Sequence, residues 1–253
     1  MKRIKPLVVG NWKLNPANGL EAKNLFNDIK KNLKKDTDAT VVIAPPTIFI
    51  SELARISNKG SVQLGSQYSF YQERGPATGE VGPGMLSSYG VTYVIVGHSE
   101  KRALGITDTD VNKKVHALLK RRLTPVVCIG EHERDEQGAF YNDIAEQIKN
   151  LAQGLSSTQL KKVVVAYEPI WAIGSGKTAT VEDVKEMQLF IVSTITKLYD
   201  RKTAEKVHLI YGGSVKPSIA KNLYDHGGMN GFLVGGASLR AKDFSEIVKC
   251  TTN

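Results

Sequence analysis

Cysteine is almost missing from this sequence. The two thiols, Cys128 and Cys250, stand far apart in 253 residues with no CxxC spacing, which excludes a disulfide framework and a cysteine-held zinc site. Long apolar runs are missing too. No uncharged stretch approaches the roughly 20 residues of a membrane span, and the opening MKRIKPLVVGNWKLN has no signal-like apolar core. A cytoplasmic protein in reducing surroundings is expected. The histidines, at 98, 116, 132, 208 and 226, form neither HExxH nor HxH, so no metal is expected. No GxGxxG follows the first strand-like run, and Gly-Lys-Thr at 176–178 is not a P-loop, because Trp171 stands where that motif needs its first glycine. No aromatics interleave the basic residues as a base-stacking surface requires.

What is present is positive charge and a repeating pattern. A net charge of +9 favours anionic partners. Its lysines and arginines are scattered (Lys30, Lys31, Lys34, Lys35; Lys120, Arg121, Arg122; Lys161, Lys162) near predicted helix ends, where cations are favourable and solvated. That distribution points to a small phosphorylated metabolite rather than nucleic acid or membrane.

Eight β-rich runs, each followed by a turn and a helix-like segment, are read at Leu7–Gly10, Thr40–Ala44, Ser61–Gly65, Thr92–Val96, Pro125–Ile129, Lys162–Tyr167, Val207–Tyr211 and Gly231–Val234. Apolar stripes at helical spacing lie between them: Leu25, Ile29, Leu33; Ile144, Ile148, Leu151; and Val184, Met187, Ile191, Ile195, Leu198. Strand–helix alternation implies parallel pairing. Eight units in 253 residues, with no linker, predict one closed α/β (β/α)8 barrel spanning residues 1–253, with its chemistry at the C-terminal strand ends. An open doubly wound sheet is the alternative.

The strand ends carry the polar residues. In VVVAYEPIWAIGSGKT, residues 163–178, a β-branched run delivers Glu168 to a strand end, and Pro169 disfavours helix for it. Gly174 and Gly176 then give the following segment conformational freedom. Asn11 and Lys13 follow the first strand. His98 follows Gly97 near a predicted helical turn over Ser99–Leu104, where a helix N-terminus would keep its imidazole neutral. Cys128 reads as a buried structural thiol. Paired glycines at 212–213 and 235–236 follow the last two strands, the usual place of a phosphate cradle in such barrels. The loop Gln67 to Glu80 carries Tyr68, Phe70 and Tyr71, apolar enough to bury in a partner. Taken singly, each is also compatible with a solvated or structural role.

In order, GNWKLN, GHSEKR, AYEPIWAIGSGKT, YGGSV and VGGASL resemble the triosephosphate isomerase family from end to end. The resemblance implies a single-domain TIM barrel. It also implies interconversion of dihydroxyacetone phosphate and D-glyceraldehyde 3-phosphate in glycolysis and gluconeogenesis, by a homodimer with no cofactor or metal. Glu168 then matches the base, His98 the neutral electrophile, Lys13 the fixed cation and Asn11 its polar neighbour. Backbone N–H groups at Gly174, Ser214, Gly235 and Gly236 match the phosphate cradle, and the loop Pro169 to Thr178 a closing lid. Departures from the family pattern fall at Tyr68, Ala77, Lys101, Ile106 and Ser175 and bear on the dimer contacts and lid. A different phosphate-binding barrel isomerase, acting on an aminated sugar phosphate, is the alternative enzyme. Adhesion of the basic surface to acidic partners is the alternative outside catalysis.

Overall fold

The computed structural model describes residues 4–33, 37–57, 62–173 and 178–252. Eight strands, β1 (Leu7–Asn11), β2 (Thr40–Ala44), β3 (Val62–Ser66), β4 (Val91–Val96), β5 (Thr124–Ile129), β6 (Val164–Tyr167), β7 (His208–Tyr211) and β8 (Gly231–Val234), pair in chain order and close into a barrel. Every pairing is parallel, and β8 returns to β1 with Gly231 opposite Leu7. The expected strands are all found, with ends moved by a residue or two. Asn11 is the last residue of β1 rather than the first of a loop, and β6 begins at Val164 rather than Lys162. Ser61 lies outside the described residues.

Two cores follow from the two-residue period of a strand. Leu7, Val9, Val42, Val126, Cys128, Ala166 and Leu233 fill the barrel interior. Val8, Trp12, Val127, Tyr167 and Val234 face the surrounding helices. The apolar helix stripes meet this outer layer with two corrections. Along Gly19–Asn32 the buried residues are Ala22, Phe26 and Ile29, Leu25 being only partly covered. Leu198 closes the helix Val181–Leu198 at 43% exposure, because by then the stripe has rotated off the barrel.

The same period aims the functional residues. On β6, Val164 and Ala166 point inward, so Glu168 does too. Counting along β1 from Leu7 and Val9 sends Asn11 to the same side. Cys128 on β5, Ile210 on β7 and Leu233 on β8 put Gly130, Gly212 and Gly235 at that level. The interior is therefore capped by polar side chains from two strands and glycines from three others.

Candidate active site

The mouth at the C-terminal strand ends holds a cavity of about 360 Å³, and Asn11, Lys13, His98, Glu168, Ser214, Gly235 and Gly236 all line it. Gly174 lies outside the described residues. Each of the other expected site residues is brought to this one hollow.

Glu168 is 2% exposed. Its Oε2 accepts from the Ser99 N–H at 3.2 Å. Its Oε1 lies 3.1 Å from His98 Nε2, off the line of a hydrogen bond, and accepts from no other group. Burial pushes the Glu168 carboxyl up from its ordinary value, against the pull of His98, the Ser99 amide, the Cys128 thiol and Lys13. The first effect wins because nothing neutralises the group fully inside the barrel. The seat is made by glycines. A Cβ on Gly130 would fall 1.7 Å from the Glu168 carbonyl oxygen, and one on Gly212 would fall 2.9 Å from its Cγ.

His98 leaves β4 through Gly97, whose φ of +69° turns the ring toward the cavity. The helical turn that follows is shorter than expected, Ser99–Arg102. His98 Nδ1 accepts from the Glu100 N–H at 3.2 Å. A ring nitrogen that accepts carries no proton, so the proton of this tautomer sits on Nε2, facing Glu168.

Lys13 takes a left-handed backbone, φ +52°, and its N–H donates to Asn11 Oδ1 at 3.0 Å. That conformation costs a lysine about 1 kcal/mol or more. Its Nζ forms a 2.7 Å ion pair with Glu100 Oε1. Partial burial pushes the Glu100 carboxyl up, but the Lys13 hydrogen bond and charge outweigh it and hold the group below its ordinary range.

Opposite these side chains the cavity is backbone. The Ser214 N–H donates to nothing among the described residues, and no atom lies within 4 Å of where a Gly236 Cβ would project. Gly236 opens the short 3-10 turn Gly236–Leu239, whose first N–H groups have no partner within it. A buried carboxylate, a neutral imidazole, an ammonium and an amide-lined recess thus surround one space.

The triosephosphate isomerase family model matches residues 6–251. The triosephosphate isomerase of Caldanaerobacter subterraneus subsp. tengcongensis is 43% identical over 246 residues, 96% of this chain and 98% of that protein. The chain belongs to the triosephosphate isomerase family.

Sequence reasoning passed over several groups at this mouth. Glu100 and the Ser99 amide touch Lys13 and Glu168, and their only signal was position on the turn after His98. Cys128, read as structural, packs its thiol against the Glu168 carboxylate, which with burial pushes that thiol well up. Glu131, fully buried, accepts from Tyr167 Oη and Trp171 Nε1 at 2.8 Å and from Arg134 Nε at 3.0 Å, tying the start of the Pro169–Thr178 segment to the barrel. Two departures from the family pattern meet each other: Lys101 lies 5.2 Å from the Tyr68 ring centre, and the buried Lys114 lies 3.9 Å from it.

Proposed function

We propose that Glu168, His98, Lys13 and Asn11 carry the interconversion of dihydroxyacetone phosphate and D-glyceraldehyde 3-phosphate at this mouth. Glu168 takes a proton from the carbon next to the carbonyl and returns it to the neighbouring carbon. His98 Nε2–H donates to the carbonyl oxygen, and after abstraction the imidazole moves protons between the two oxygens of the enediolate. A buried Glu base with a neutral His is the pairing for which triosephosphate isomerase is itself the type case of environmental tuning.

Lys13 balances the negative charge that grows on the substrate, aligned by Asn11 and by its pair with Glu100. Backbone N–H groups of Ser214, Gly235 and Gly236 hold the phosphate. Proton abstraction from carbon makes an oxyanion, so base, donor and fixed cation must act together out of water. The 3.1 Å approach of His98 Nε2 to Glu168 Oε1 carries this reading, since one carbonyl and its adjacent carbon can reach both.

The enzyme works as a homodimer through the loop Gln67 to Glu80, in the cytoplasm. Leu14, Ile48, Met85 and Leu104 are 94%, 81%, 51% and 77% exposed just beyond β1, β2, the loop and β4, an apolar margin suited to a second copy. With Ala77 offering little apolar surface in that loop, sedimentation at low protein concentration is expected to reveal monomer. A coupled assay on both triose phosphates tests the chemistry, with Glu168→Gln as control. Unchanged turnover by that variant would refute the role of Glu168.

A further inference from the structure

We propose that the opposite, N-terminal mouth of the barrel is a second binding site, for a small organic anion that joins an apolar body to one acidic head. Leu7, Thr124, Val164 and His208, the first residues of β1, β5, β6 and β7, help to line a cavity of about 420 Å³ there, and its rim carries Arg122, Lys161 and Lys162. No aspartate or glutamate is among its lining residues. The three cationic side chains make no ion pair or hydrogen bond among the described residues, although Lys161 feels the charge of Asp200, which caps the helix Arg201–Ala204. Below the rim lie Leu7, Tyr93, Leu123 and Val164. Charge complementarity asks for an anion, and the apolar floor asks for more than a bare inorganic one.

A second observation singles out Arg122. It follows the helix Asp108–Lys120 with φ +58°, its N–H bonded to the Leu119 carbonyl and that of Leu123 to the Leu118 carbonyl. This is the left-handed helix stop that glycine takes without strain. Among the described residues only one other non-glycine has positive φ, and it is Lys13, the cation of the isomerase cavity. Both strained positions hold a cation at the edge of a hollow, and backbone strain of this kind clusters where a ligand is gripped.

The probe is 8-anilinonaphthalene-1-sulfonate, titrated by fluorescence into the full chain, its Arg122→Gly variant and its Lys162→Glu variant. One saturable site per chain is expected, not displaced by glycerol 3-phosphate, with Kd at least fivefold weaker in each variant and isomerase kcat/KM within twofold of the parent. Glycine suits the backbone at 122, so that variant is expected to fold at least as stably. Absence of saturable binding, displacement by glycerol 3-phosphate, or less than a fivefold change in either variant overturns the proposal.

Discussion

The two mouths of this barrel are made by the same eight strands and hold their charges in different settings. At the C-terminal mouth Glu168 and His98 are buried and Lys13 half-buried, and they are paired: Glu168 against His98 and Ser99, Lys13 against the exposed Glu100. At the N-terminal mouth the side chains of Arg122 and Lys162 are exposed and make no ion pair or hydrogen bond among the described residues. A charge held in a dry, crowded setting changes the proton affinity of its neighbours, whereas one in water is screened within about 10 Å. The difference teaches that the buried end is suited to moving protons, and that the solvated end is suited to catching a ligand rather than reacting with it.

Removing the base should give the largest contrast. Glu168→Gln is expected to lower kcat about 10²- to 10⁴-fold, the usual worth of general-base catalysis, read in the coupled assay. Its effect on stability should run the other way. A carboxyl whose pKa is raised on folding contributes stability below its unfolded value, and loses it as pH rises through the folded value. Near pH 7 the variant should therefore melt no lower than the parent, and any advantage should vanish in acid, below about pH 4. In the parent, the acid limb of kcat/KM should lie above the ordinary carboxylate range. A limb at or below about 4.3 would contradict the burial that separates the two ends.

Neutralising the cation comes next. Lys13→Met is expected to cost about 10²- to 10³-fold in kcat/KM, the scale of losing one preorganised charge-stabilising group. It should also weaken competitive inhibition by phosphorylated ligands. Lys162→Glu, reversing a charge at the other end, should leave the isomerase rate within twofold. Equal losses from both would mean that the overall field, not the local contact, draws the substrate.

The barrel itself was legible because its signal is periodic. β-branched runs, turns and helical stripes repeat at each unit, and the period of two already directs Asn11 and Glu168 to the interior. What could not be read were contacts set by register and by turn geometry. Nothing in the sequence says that Glu100 meets Lys13, that Cys128 lies against Glu168, or that Gly130 and Gly212 are the floor under that carboxylate. Those pairs come together only when neighbouring strands close the ring. Arg122 was hidden differently, since a basic residue after a helix looks solvated whether its φ is negative or positive.

One of those illegible contacts yields a graded test of the buried end. Gly212→Ala places a methyl 2.9 Å from Glu168 Cγ, and with the carboxylate 2% exposed it cannot swing aside into water. A shift of a few tenths of an ångström in the base should cost roughly tenfold in kcat, given that a full ångström costs about 10². KM should change less. A variant with parental kcat would mean that the seat of Glu168 is softer than its packing implies.

The smallest expected effect bears on the feature the two ends share. Lys13 and Arg122 both hold left-handed backbone, which costs a side-chain-bearing residue about 1 kcal/mol more than glycine. Arg122→Gly should recover most of that, offset by the greater freedom of glycine in the unfolded chain. A net gain of at most about 1 kcal/mol corresponds to a rise in Tm of roughly 2–4 °C for a chain of this size. Lys13→Gly should recover a similar amount and at the same time abolish nearly all turnover, because there the strain positions the cation proposed to balance the charge on the substrate. If Arg122→Gly lowered Tm instead, the guanidinium would be holding the lower mouth together, and its unusual backbone would be repaid by the fold rather than by a ligand.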